Sequence, residues 1–326
     1  MGKDLYDNSP AAREIFDAAG EQVKDWCFNG TKEMLRQTYI TQPSIYITTM
    51  AAYAALREAV DASAKLSGVF SVQGYAGFSL GEYSALTAAG VIRDVARGQY
   101  IVQKRGNLMN DAGKDAEGNQ RGGMAAAFGN REDILAVVEE TRNGRILEAV
   151  NFNSPVQTVV AGEYAALDDF INAAKGHRIK AKMLSVSTAF HSPLMIPAAA
   201  ELKKILLKEE LHEPREKVYT NLTGRDIMEG FSSREQSITE YVAEVMASQA
   251  MKPVHWQETI EDMIADGVEV IIEVGPGKTL SGIIKKIDRG IRTLNVEDHE
   301  SLCRTVPALE EMIAEKQAGQ SREAGD

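Results

Sequence analysis

Gly77-Phe78-Ser79-Leu80-Gly81 is the stretch of this 326-residue chain whose residue types and spacing could do chemistry. Glycines two before and two after a serine let a chain turn sharply from a strand into a helix. The hydroxyl then projects outward at the helix N-terminus, where the N–H of the next residue, Leu80, can stabilise an oxyanion. The same residues also spell Ser79-x-x-Glu82, a capping box, in which the serine serves only the free N–H groups of the helix. Capping alone does not require both glycines, which favours a nucleophile. The motif does not say whether an acyl group would pass to water or to another acceptor.

A nucleophilic serine needs a base, and the chain offers His177, His191, His212, His255 and His299. His177 and His212 sit among charges, His299 lies in Glu297-Asp298-His299-Glu300, and His255 precedes Trp256 at a helix start. His191 differs. It lies in Thr188-Ala189-Phe190-His191-Ser192-Pro193, between a strand end and a helix start, where parallel-strand folds place their chemistry. The bland alternative is a histidine that satisfies a loop carbonyl. Arg105 is the third candidate, on the apolar face of a helix over 94–109 with Ile101, Leu108 and Met109. A guanidinium there is costly unless it meets an anion. The bland account is an internal salt bridge or a snorkelling side chain, and the sharp one is a fork that grips a substrate carboxylate or phosphate. Position alone leaves these open.

Other motifs fail on their spacing. Gly277-Lys278-Thr279 resembles the end of a phosphate loop, but Ile272 stands where the leading glycine belongs. Cys27 and Cys303 form neither a disulfide framework nor a metal cluster, and no paired-histidine zinc spacing occurs, so no metal is expected. Asn29-Gly30-Thr31 and Asn221-Leu222-Thr223 fit the glycosylation pattern without further support. Lys285, Lys286, Arg289 and Arg292 cluster as a solvated face or a dock for an acidic partner.

The elements that must position these residues follow from periodicity. Helices fill the first 66 residues, one opening at Ser9-Pro10 and another running from Ser44 to about Lys65. A strand over 69–75 enters the glycine turn, and an Ala-rich helix leaves it. Between 122 and 187 the order is strand, helix, strand, strand, helix, strand, which is the ferredoxin-like arrangement. Helices over 193–209, 238–250 and 254–266 and strands over 218–220 and 268–274 follow, with a disordered tail from 316. The fold class expected is therefore α/β, a parallel-sheet hydrolase-like core over 1–121 and 188–315 with a ferredoxin-like subdomain inserted at 122–187.

Composition excludes several functions. The chain is 44% hydrophobic and 25% charged, as a globular protein is, and its net charge of −11 provides no general field for nucleic acid. No apolar run of membrane-spanning length and no signal peptide core occurs, so a soluble, cytoplasmic protein with neither membrane nor nucleic-acid partners is expected.

Taken together, these residues resemble malonyl-CoA:acyl-carrier-protein transacylase, the acyltransferase family of bacterial fatty-acid synthesis. The resemblance runs from Met1-Gly2-Lys3-Asp4-Leu5 to about Asn295. It is carried by Gly77-Phe78-Ser79-Leu80-Gly81-Glu82, Lys104-Arg105-Gly106, Asn151-Phe152-Asn153-Ser154-Pro155, Ala189-Phe190-His191-Ser192 and Glu273-Val274-Gly275-Pro276-Gly277-Lys278. It implies that Ser79 is acylated, that His191 is its base, and that Leu80 donates its N–H to the oxyanion. It further implies that Arg105 binds the malonyl carboxylate and that the backbone carbonyl of Gln249 orients the histidine. Its implied substrates are malonyl-CoA and the phosphopantetheine thiol of an acyl carrier protein, with no cofactor and a monomeric enzyme. An acyltransferase or thioesterase for another acyl group, for instance in polyketide synthesis, and a carrier-binding relic are the alternatives. Two departures stand out. Phe78 replaces the family's histidine, which predicts altered acyl contacts rather than lost chemistry. The family also begins with a strand and a Gly-Gln-Gly loop that supplies a second oxyanion donor, and this chain starts after it. The expectation is that Met1 is an internal methionine, since losing one such donor costs about 10²–10³ in rate.

Overall fold

The computed structural model describes residues 1–186 and 188–323. Four helices open the chain: α1 (Lys3–Asn8), α2 (Pro10–Ala18), α3 (Glu21–Asn29) and α4 (Thr38–Ala62). Ser9 accepts from the Ala12 N–H and Pro10 takes the first turn of α2, as the cap signal predicts. α4 begins six residues before the expected start at Ser44, because Pro43 does not end it. A proline removes one helical hydrogen bond, and the neighbouring turn is tied instead by Ser44 donating to the Ile40 carbonyl at 2.8 Å. That early start carries Gln42 onto the helix.

Next come β1 (Gly74–Ala76), α5 (Gly81–Ala88) and α6 (Val95–Ala112). The expected strand over 69–75 shrinks to its last residues, since 69–73 pair with no strand among the described residues. Then follow β2 (Gly122–Phe128), α7 (Arg131–Arg142), β3 (Leu147–Ser154), β4 (Gln157–Glu163), α8 (Tyr164–Gly176) and β5 (Lys180–Met183). These four strands form an antiparallel sheet in the order β3-β4-β2-β5, which is the ferredoxin-like order. Its core is separate from the main one and centres on Ile134, Val138, Leu147, Val160 and Phe170. The strand expected to reach Ser187 stops at Met183, and Ser187 itself lies outside the described residues.

The chain then returns through α9 (Ile196–Leu206), β6 (Lys217–Tyr219), α10 (Ile238–Met251), α11 (Trp256–Ala265), β7 (Val270–Val274), α12 (Thr279–Ile287), β8 (Arg292–Val296) and α13 (His299–Glu323). β1 pairs in parallel with β6 and β7 with β8, so the α/β core holds two parallel pairs rather than one continuous sheet. Among the described residues β1 and β7 each bond on one side only. Their free edges both line a cavity of about 800 Å³, roofed by Thr49, Met50 and Tyr53 of α4. The disordered tail expected from 316 is instead a continuation of α13 to Glu323, with 324–326 outside the described residues. Leu302 and Leu309 bury the inner face of this helix, and Lys316 pairs with Glu269 at 3.0 Å, so the polar end extends a turn pattern already set by apolar residues.

Candidate active site

The site is assembled at the turn between β1 and α5. Ser79 has a left-handed φ of 50°, a conformation that costs a non-glycine residue energy and persists only where the surroundings hold it. Gly77 is required there: a Cβ would lie 2.0 Å from the Gly81 carbonyl carbon. Gly81 is not required on steric grounds, since a Cβ at that position meets nothing within 4 Å, so only one of the two glycines does what the spacing suggests. The capping box does not form. The N-cap position of α5 is Leu80, without a side-chain bond, and Ser79 Oγ turns to His191 Nε2 at 2.7 Å. Glu82 turns inward, its Oε2 accepting from the Asn221 N–H at 3.2 Å and from Gln249 Nε2 at 3.1 Å.

His191 sits in the loop after β5, also at a positive φ, and is buried. Its Nδ1–H donates to the Gln249 carbonyl at 2.8 Å, which leaves the Nε2 lone pair for the Ser79 hydroxyl. Burial, followed by the nearby Arg105 charge, pushes its pKa down to about 4, against the opposing pull of the Gln249 and Lys252 carbonyls. The imidazole is therefore neutral at pH 7 and able to accept a proton.

Arg105 lies on α6, 2% exposed, with its guanidinium over the Tyr83 ring at 5.3 Å. α6 approaches α4 closely because Gly98 has no side chain: a Cβ there would lie 1.9 Å from Tyr46 Oη. This brings Arg105 Nη1 to Gln42 Oε1 at 2.7 Å, and Nη2 to Ser79 Oγ at 3.1 Å and Gln249 Oε1 at 3.3 Å. All three acceptors are neutral. No carboxylate among the described residues lies within ion-pair reach of this guanidinium, so the internal salt bridge left open by position is absent. Burial pulls its pKa down, yet an arginine remains a cation.

Gln249 is the connector. Its carbonyl holds His191, its Nε2 donates to the Ser79 carbonyl at 2.7 Å, and its Oε1 faces Arg105. The Leu80 N–H has no acceptor among the described residues, so it stays open to an oxyanion. Ser79, Leu80, Arg105, His191 and Gln249 therefore converge on one point. Sequence reasoning missed Gln42, hidden by the late start assigned to α4, and the inward turn of Glu82. It noticed Asn221 only as a glycosylation pattern, yet that side chain is fully buried against the turn. None of the other histidines bonds Ser79: His255 packs on Phe152, His177 faces Glu140, His299 contacts Cys303, and His212 donates its N–H to the Val91 carbonyl. Phe78 packs edge-to-face on Trp256 at 5.4 Å. In the basic cluster, Lys285 donates to the Ile291 carbonyl and Lys286 lies over Phe128. Among the described residues no group of three or more metal-ligating side chains occurs, and no helix is long and apolar enough to cross a membrane.

An α/β core with a serine and a neutral histidine at a strand-to-helix turn has the form of an acyl-transfer enzyme with a serine nucleophile. Comparison with known proteins agrees. The acyl transferase domain matches residues 1–320. The malonyl CoA-acyl carrier protein transacylase of Bacillus subtilis (strain 168) is 36% identical over 320 residues, 95% of this chain and 93% of that protein. Its Escherichia coli (strain K12) counterpart is 34% identical over 88% of each chain. Among solved structures, the Clostridium perfringens malonyl CoA-acyl carrier protein transacylase superposes with a TM-score of 0.85 at 35% identity, covering 97% of this chain and 95% of that one. A malonyl-transacylase in complex with a type II PKS acyl-carrier protein reaches 0.84 at 31% identity, covering 94% of each. The chain belongs to the acyl transferase domain family, within its malonyl CoA-acyl carrier protein transacylases.

Proposed function

We propose that this chain transfers malonyl from malonyl-CoA to the phosphopantetheine thiol of an acyl carrier protein, through a malonyl ester on Ser79. The observation that carries this reading is the buried Arg105 without a carboxylate partner, its Nη2 3.1 Å from Ser79 Oγ. A buried cation is costly until an anion meets it, and the free carboxylate of a malonyl group bound to Ser79 is such an anion. A neutral acyl group would leave the guanidinium unpaired.

The geometry supports a ping-pong cycle. Ser79 Oγ attacks the thioester carbonyl while its proton passes to His191 Nε2, and the Leu80 N–H meets the oxygen that becomes negative. The imidazolium is steadied by the Gln249 carbonyl on Nδ1 rather than by a carboxylate. Collapse breaks the C–S bond, and His191 returns the proton to the departing coenzyme A thiolate. In the second half the carrier thiol gives its proton to His191, its sulfur attacks the malonyl ester, and Ser79 leaves with the proton. These steps need no cofactor. The separate apolar core within 122–187 supports reading that segment as a subdomain of a core made by 1–121 and 188–315.

The test is intact mass after brief incubation with malonyl-CoA, with Ser79→Ala as control. One malonyl increment on the wild type and none on the variant is expected. An increment on both, or on neither in a folded chain, overturns the assignment of Ser79.

A further inference from the structure

The left-handed backbone at Ser79 needs something to hold it, and the Glu82 N–H of the following helix and Gln249 Nε2 reach its carbonyl but neither holds its N–H. Asn221 does. It stands two residues beyond β6, past the last pair of the β1–β6 ladder at Ala76 and Tyr219, and is completely buried. Its carboxamide bridges the turn on both sides of Phe78. Oδ1 accepts from the Ser79 N–H at 2.6 Å, and Nδ2 donates to the Gly77 carbonyl at 2.6 Å. The two contacts fix the orientation of the amide, because a flip would set donor against donor and acceptor against acceptor. Asn221 is itself held at its backbone: its N–H donates to Glu82 Oε2 and its carbonyl accepts from the His255 N–H at 2.9 Å. One consequence bears on the reaction. With the Ser79 N–H occupied, the adjacent Leu80 N–H is left without an acceptor among the described residues.

We infer that Asn221 is a positioning residue for acyl transfer, holding the nucleophile turn so that Ser79 Oγ meets His191 while the Leu80 N–H faces the substrate oxygen. It touches neither the serine hydroxyl nor the guanidinium, so it governs the rate of the chemical step and leaves malonyl recognition to Arg105. This inference rests on Ser79 being the acylated residue.

The charged and titratable groups facing this turn include Glu82 and Tyr83 of α5, Arg105 of α6, His191, and His255 with Glu258 of α11. In Asn221→Asp an ionised carboxylate keeps the bond from Ser79 N–H but opposes the Gly77 carbonyl, whereas the protonated acid restores a donor. Full burial and the neighbouring Glu82 carboxylate both favour the protonated acid.

The experiment measures rapid-quench acylation of the wild type, Asn221→Ala and Asn221→Asp by malonyl-CoA and acetyl-CoA between pH 5.5 and 8, with thermal melts of each. Asn221→Ala is expected to acylate about 10²-fold more slowly, the size of effect a misplaced reacting group produces, with the KM for malonyl-CoA within about threefold and the malonyl preference intact. Asn221→Asp should show the same loss at pH 8 and recover about tenfold towards pH 5.5, while the wild type stays level. Wild-type rates in Asn221→Ala overturn the inference. So does loss of malonyl preference with the rate, or an Asp variant that does not recover, since either marks a merely structural residue. If Asn221→Ala does not fold, the recovery of Asn221→Asp decides. No adduct on the wild type overturns the Ser79 reading, and this inference with it.

Discussion

Replacing Arg105 separates substrate recognition from every other task of the site. In the structure its guanidinium is 2% exposed and meets only neutral acceptors, on Gln42, Ser79 and Gln249. Bound malonyl would supply the missing negative charge. Breaking a buried ion pair by deleting one partner costs about 3–5 kcal/mol, largely because the other charge is left stranded. At about 1.4 kcal/mol per decade, that is a fall of about 10²–10³-fold in kcat/KM for malonyl-CoA with Arg105→Ala. Acetyl-CoA carries no carboxylate and loses only whatever the Ser79 contact contributes. The ratio of the two kcat/KM values cancels that shared loss, so the expected outcome is a collapse of malonyl preference by about the same 10²-fold or more. Stability should move the other way. Arg105→Met replaces a charge without a carboxylate partner by an apolar chain of similar length, so its Tm should equal or exceed that of the wild type. A folded Arg105→Ala enzyme whose malonyl-to-acetyl ratio is unchanged refutes the reasoning.

The pH behaviour follows from two opposed shifts. Because His191 stays neutral down to about 4, the acylation rate should hold level from pH 8 towards 5 and fall tenfold per unit below about 4, as stopped-flow profiles would show. In stability, the unfolded histidine takes a proton near 6.5 and the folded one only near 4, so His191 costs stability as pH falls through that window. Glu82 acts in reverse: burial pushes it up to about 7 from 4.5, so the folded chain holds its proton longer and gains stability as pH falls between those values. Thermal melts should therefore show His191→Ala gaining stability from pH 7 to 4.5 and Glu82→Gln losing it; parallel slopes in both would contradict the assignment. Gly77→Ala forces a Cβ against the Gly81 backbone and should lower stability by more than about 2 kcal/mol and abolish acylation, while Gly81→Ala meets open space and should keep a wild-type Tm. Equal melting curves for the two glycine variants would show that the turn is not held as described.

Much of the site was legible because its signals are local. The glycine turn, the histidine between strand end and helix start, and the arginine on an apolar helical face each follow from spacing along one element, and the βαββαβ order follows from alternating periodicity. What spacing hid lay in single residues. Gln42 was lost because the helix was expected to open only at Ser44, whereas Pro43 near its true start costs one bond and Ser44 ties the neighbouring turn. The tail read as disordered from its Gly, Ser and Gln, although the apolar stripe of α13 had already set the helix that carries it on. Glu82 entered only through the alternative capping-box reading, because four residues cannot show that a carboxylate turns inward to Gln249.

The sequence by itself determined the α/β class, the ferredoxin-like order of elements, the glycine turn at Ser79 and the candidacy of His191 and Arg105, because these depend on residue type and short-range period. Only the tertiary structure decided what those groups are to one another. That a neutral His191 meets the Ser79 hydroxyl, that the Gln249 carbonyl rather than an acid holds its other nitrogen, that no carboxylate among the described residues lies within ion-pair reach of Arg105, and that Asn221 bonds the turn on both sides of Phe78 all depend on contacts across 26 to 144 residues of chain. Burial and the charge beside a group set its protonation, and both are properties of the packed interior that no stretch of sequence contains.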